Sequence, residues 1–280
     1  MTTTRTIATV VEVPDAAPST RPPGMTRMQR RLVTCGSLVV VLLVWELVGR
    51  RSNPIFSSYP SAVFVAAVDL VASGQLLPAL LESLQSFSVG YVMAALVGIP
   101  LGLVIGRFAV AEAALGIYVT AGYAMPLVAL VPLLVLWFGL GFTVKVAIVF
   151  LMALFPICIN TWLGVKSVPR SLIDVGVSFV ASPFTILRRI VLPATLPYIM
   201  AGLRLAIGKA VMGMIIAEFF TAISGLGAII INSANNFDTA TMFVPIILLM
   251  VLATVLTSLV GMLERLVAPW QSEIAGRDGT

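Results

Sequence analysis

The chain contains no histidine, only two cysteines, and few charges: Asp, Glu, Lys and Arg together make up 10% of it. Each shortage removes a class of chemistry. Without imidazole there is no histidine general base and no Cys–His zinc site. Cys35 and Cys158 each sit alone inside an apolar run without metal-ligand spacing, where a cysteine serves as a small hydrophobe. Clustered carboxylates are also missing, which argues against an enzyme embedded in the membrane. The stretch Gly202 to Ala210 (GLRLAIGKA) imitates a phosphate-binding loop and fails: five residues separate Gly202 from Gly208 where the motif has four, and Ala210 replaces the magnesium-binding hydroxyl. The chain therefore carries no nucleotide-hydrolysing site of its own and calls for no cofactor.

What is present is apolar. Hydrophobic residues make up 59% of the chain and its mean hydropathy is +1.08, far outside the soluble range, so the sequence is that of an integral membrane protein. The net charge of +5 comes from cations flanking apolar runs and not from a basic polar domain, which excludes nucleic acid as a partner and leaves the lipid bilayer. Residues 1–31 are rich in Thr, Pro, Ala and Arg, and read as a disordered cytoplasmic tail. Leu32 to Gly49 is a first span; a signal peptide is the rival reading, but no small-x-small cleavage site follows. Residues 53–82 suit an external segment lying on the membrane surface. Further spans follow at about 84–106, 113–138, 144–165, 198–219 and 242–263, so about six helices cross the bilayer within a domain of residues 32–265. Residues 266–280 read as a C-terminal tail. Inner segments collect most of the cations, which puts both termini and the loop 167–197 on the cytoplasmic side of a multi-pass cell-membrane protein.

Within the spans, Gly90, Ala94, Gly98, Gly102 and Gly106 recur at every fourth position, a stripe that permits close helix contact. Pro126 and Pro132 fall in the third span, and Pro156 and Asn160 in the fourth; broken helices face protein or a cavity, so Pro126, Pro132 and Asn160 are pathway candidates. Glu218, an intramembrane acid, is a fourth. Arg204 and Lys209 read as reaching the inner headgroups or the inner mouth.

The loop 167–197 is the largest polar interruption after Met25. Pro169, Pro183, Pro193 and Pro197 are expected to divide it into short pieces. Leu172, Val175, Gly176 and Phe179 are spaced as one apolar helix face, which flanking Arg170, Arg188 and Arg189 hold in water, so the face needs a partner groove. Phe179 is the expected anchor, and Asp174 is expected to favour the helix N-terminus.

The run Arg188-Arg189-Ile190-Val191-Leu192-Pro193-Ala194 with Leu196-Pro197 resembles the cytoplasmic signature loop of permease subunits of binding-protein-dependent ABC importers. The family's Glu-Ala-Ala falls on Asp174-Val175-Gly176 and its downstream glycine on Val180, before Ala181-Ser182. A β-branched residue resists the positive φ that this glycine adopts. The resemblance covers roughly residues 55–265. Gly98-Ile99-Pro100-Leu101-Gly102, Trp137-Phe138-Gly139-Leu140-Gly141, Ala217-Glu218 and Ser224-Gly225-Leu226-Gly227 are similar to the sulfonate, taurine and nitrate branch, although Ser86 stands where that branch often has arginine. It implies an all-α, type I importer-like fold, a second permease copy, a solute-binding protein outside, and a cytoplasmic ATP-binding subunit. That subunit would meet Arg170, Leu172, Asp174, Val175, Gly176, Phe179, Val180, Ala181, Ser182 and Pro193. An ion-coupled secondary transporter is the alternative, opposed by the scarcity of mid-span acids.

Overall fold

The computed structural model describes residues 26–53, 55–221 and 224–267, so the two expected tails fall almost wholly outside the described residues. The chain divides into two units, up to Trp45 and from Glu46. The first holds most of α1 (Arg27–Arg51). This helix starts five residues earlier than the expected span because Thr26 and Gln29 form a capping box: the Gln29 N–H donates to Thr26 Oγ1 at 3.3 Å and the Thr26 N–H to Gln29 Oε1 at 3.0 Å. Leu38 to Leu43 are all exposed, as befits a helix solvated by lipid.

In the second unit, the end of α1 meets α2 (Pro60–Ala72) through Glu46, whose carboxylate accepts from Arg50 Nε at 2.6 Å, the Ser61 N–H at 3.0 Å and Ser61 Oγ at 2.7 Å. Arg50 is thus held in an ion pair with Glu46. α3 (Leu76–Arg107) begins eight residues before the expected span. Pro78 does not stop it, since the first turn of a helix has no partner for that N–H anyway.

α3 and α6 (Phe142–Lys166) run parallel in fixed register. A Cβ on Gly90 would meet Val149 Cβ at 2.7 Å, on Gly98 Ile157 Cγ2 at 3.1 Å, on Gly102 Thr161 Cβ at 2.7 Å and on Gly106 Val165 Cβ at 2.5 Å, so each glycine faces the residue 59 positions later. Lipid gives no hydrophobic drive between helices, so this approach supplies the dispersion contacts that hold the pair. α9 (Leu192–Thr221) runs antiparallel to both: Gly164 abuts Tyr198, Gly202 abuts Asn160, Gly213 abuts Met152, and Tyr91 Oη donates to the Leu203 carbonyl at 2.8 Å. Phe87, Ala94, Ala153, Ile157, Ala206 and Ala210 fill the core of this trio.

The third span is not straight. α4 (Ala109–Ala124) ends where Met125 turns extended before Pro126, the conformation that a following proline favours. A 3₁₀ turn (Leu127–Leu130) and α5 (Val131–Phe138) then leave at 90°. α10 (Leu226–Asn235) is short, and α11 (Thr239–Val267) is the last long helix. Among the described residues, five helices are long and apolar enough to cross a membrane, six with the bent pair taken as one span, and there is no strand. The fold is all-α and polytopic, as expected.

Prolines divide the loop only in part. Pro169 precedes α7 (Arg170–Ser178) and Pro183 opens α8 (Pro183–Ile186). Pro193 and Pro197, by contrast, lie inside the helix that continues into α9. A π-helical turn over Leu187–Val191 sends the Leu192 N–H to the Leu187 carbonyl, and this widened turn takes up the proline that a regular α-turn would reject.

Candidate functional site

Three places are candidates for function. At the end of the core trio where α6 finishes, the loop packs on a small core of Val165, Val168, Ile186 and Val191. Gly176 faces inward: a Cβ there would meet Ile190 Cδ1 at 2.9 Å. It is therefore covered by the chain's own helices and does not share one exposed face with Leu172, Val175 and Phe179. α7 ends in a Schellman motif, with the Ala181 N–H donating to the Gly176 carbonyl at 3.1 Å and the Val180 N–H to the Val177 carbonyl at 2.8 Å. That motif requires a left-handed residue, and Val180 takes φ 53°. The resistance expected of a β-branched side chain is overcome by two satisfied carbonyls and by its own exposure of 91%, which leaves the isopropyl group without a clash. Phe179, just past the helix, is 83% exposed.

Asp174 and Arg170 are exposed, and Asp174 lies one turn into α7, beyond the reach of the first-turn dipole on which its expected role rested. Ser182 caps α8 by accepting from the Thr185 N–H at 3.2 Å. Phe184, which sequence reasoning passed over, is exposed, as are Leu172, Val175, Phe179 and Val180 of the same loop. The signal was Ser182-Pro183, a cap followed by proline at the first helical position, which starts a new helix and turns Phe184 outward.

The opposite end of the trio is closed by polar groups. Glu218 is 0% exposed. Its Oε1 accepts from Ser83 Oγ at 2.6 Å and its Oε2 from the Gly227 N–H at 2.7 Å, while Ser83 Oγ accepts from the Leu226 N–H at 2.9 Å. Two residues from α3 and α9 thus cap the start of α10, satisfying N–H groups that a helix leaves unpaired. Gly225, at φ 94° and against the Glu218 carboxylate, has no room for a side chain. Lys145 is 1% exposed. Its Nζ lies 3.0 Å from Glu82 Oε1, 3.0 Å from the Ser224 carbonyl and 3.1 Å from Ser224 Oγ; Ser224 Oγ also donates to Glu82.

The third place is a cavity of about 160 Å³ where the broken span meets α6 and α9, lined by Tyr123, Pro126, Phe155, Pro156, Lys209 and Met212 among others. Pro126 is the one pathway candidate on its wall. Pro132 is exposed in the first turn of α5. Asn160 donates from Nδ2 to the Pro156 carbonyl at 2.8 Å, and Glu218 is committed to capping.

Five described helices able to cross a membrane, six with the bent pair taken as one, and a helical loop between α6 and α9 make up a multi-pass membrane subunit. The chain belongs to the family described as binding-protein-dependent transport system inner membrane component, which matches residues 98–269. It is a permease subunit of an ABC importer for small solutes, a transport component of the inner membrane and not a catalytic subunit. The putative aliphatic sulfonates transport permease protein SsuC of Escherichia coli is 34% identical, over 83% of this chain and 89% of that one. The riboflavin transport system permease protein RibX of Chloroflexus aurantiacus is 37% identical over 58% of this chain, and the match spans 60% of that protein. An inward-facing structure of the MetNI methionine ABC transporter superposes with a TM-score of 0.56 at 18% identity, covering 70% of this chain and 97% of that one, which fixes the fold.

Proposed function

We propose that this subunit carries a small organic anion of the sulfonate or taurine type inward, driven by ATP hydrolysis in a cytoplasmic subunit that grips the loop 167–197. Both termini and the loop lie in the cytoplasm, a second copy completes the pathway, and a binding protein delivers solute from outside. The observation that carries this reading is the exposed apolar tip formed by Leu172, Val175, Phe179, Val180 and Phe184 on a loop flanked by Arg170, Arg188 and Arg189. Neither lipid nor water covers such a surface well, and a protein groove does. Residues 170–182 and Pro193 serve the coupling: Gly176 and Pro193 position the tip, and Phe179 enters the partner. When nucleotide draws two ATPase subunits together, the tips follow, and the bundle shifts toward its outward-open state by differential binding to the two states.

The test is co-purification of the chain with its ATPase subunit from membranes, together with ATP-dependent uptake of an aliphatic sulfonate. Phe179→Ala should lose both, with membrane insertion unchanged, because an aromatic anchor in a desolvated pocket is worth about 2 kcal/mol or more. Retention of the ATPase at wild-type levels with unchanged uptake would sink the coupling assignment.

A further inference from the structure

Four cations of the described helices are held in ion pairs. Arg204 forms an ion pair with Glu264, Lys166 with Glu112 at 2.6 Å, Lys145 with Glu82 at 3.0 Å and Arg50 with Glu46 at 2.6 Å. Lys209 has no such partner among the described residues. It sits well inside α9, about 26 Å of helix from Leu192 and about 18 Å from Thr221 at ~1.5 Å per residue, and it lines the cavity that opens where the third span breaks at Pro126. A lone ammonium at such depth is costly unless a counter-charge or the water of a cavity meets it, and Lys209 is exposed on this wall.

The described residues offer no counter-charge. Every described carboxylate in a long helix is already engaged: Glu46, Glu82, Glu112 and Glu264 in ion pairs, and Glu218 in the α10 cap. Asp69, Asp174 and Asp238 lie outside those helices. A second copy brings the same set, equally engaged. The rest of the cavity wall is Met125, Leu127, Val128, Met152, Phe155 and Met212, with Tyr123 as a further hydroxyl.

We propose that Lys209 is the anion-binding residue of a solute site in this cavity, selecting a small molecule with one negatively charged head and a short apolar body. The ammonium takes the head through charge-assisted hydrogen bonds, and the methionine and phenylalanine side chains take the body. The inference rests on the transport reading and adds to it the residue that discriminates charge.

The probes are ethanesulfonate and its uncharged isostere ethanesulfonamide, at matched ionic strength, on the detergent-purified chain. Ethanesulfonate should raise the thermal midpoint in a saturable way and ethanesulfonamide should not. Lys209→Met should weaken half-saturation by about tenfold or more, and Lys209→Arg should restore most of it. Equal shifts by the two probes, or no shift by either, would overturn the proposal with the wild-type chain alone, whatever the folding of the variants. So would an undiminished ethanesulfonate shift in a folded Lys209→Met chain. Failure of the transport reading looks different: the complex with its ATPase and binding protein then moves no sulfonate, while the Lys209-dependent, charge-selective shift persists.

Discussion

The two ends of the α3–α6–α9 trio solve opposite problems with opposite chemistry. At one end Glu218, Ser83, Lys145 and Glu82 turn polar groups inward, and four separate chain segments are held by their hydrogen bonds. At the other, Phe179, Val180 and Phe184 turn apolar groups outward, on a loop kept in shape by a Schellman turn and a π-turn. A group placed against its solvent preference needs a partner. The polar end has its partners within the chain, so it is a structural clasp; the apolar tip has none among the described residues, and this is why we propose it as a contact surface.

The largest effect should come from breaking the packing that both ends depend on. Gly102→Leu would drive a side chain into the Cys158 carbonyl and Thr161, which a Cβ already meets at 2.5 and 2.7 Å. Folded yield in membranes should collapse, while Val97→Leu, on the exposed face of the same helix, should be tolerated. Next comes the clasp: Glu218→Ala leaves the Ser83 hydroxyl and the Gly227 N–H without their acceptor, at about 1–3 kcal/mol each. A fall in the detergent melting temperature with ATPase binding retained would separate this end from the other. Glu82→Ala should cost less, about 1–2 kcal/mol, since Glu82 is partly exposed and Lys145 keeps its two bonds to Ser224.

The smallest effect sharpens the comparison at the tip. Val180→Gly removes the strain of a left-handed β-branched residue, worth about 1 kcal/mol, against the added freedom of glycine in the unfolded chain. Hydrogen exchange at the Ala181 N–H should slow by a few-fold, with ATPase binding altered only through the lost isopropyl contact. Faster exchange would show that the valine is preferred where it stands.

Sequence alone determined the class and much of the plan. Composition fixed a membrane protein, six apolar runs fixed the spans, and the four-residue glycine row announced a close helix contact, because each depends on short-range periodicity along the chain. Five of the spans are continuous helices near their expected places, and the loop carries its exposed aromatic. The tertiary structure decided what periodicity cannot encode: that Gly90 to Gly106 meet α6 in parallel register, that the third span bends by 90° at Pro126, and that Pro193 lies within a helix. It also decided the fate of the charges. Lys145 and Lys209 look alike in sequence, each a lone lysine beside apolar residues. Which is buried in a clasp and which stands unpaired on a cavity wall depends on Glu82 and Ser224, far away along the chain, and on the break at Pro126. The physical reason is that the cost of a charge is set by the groups brought to it in space.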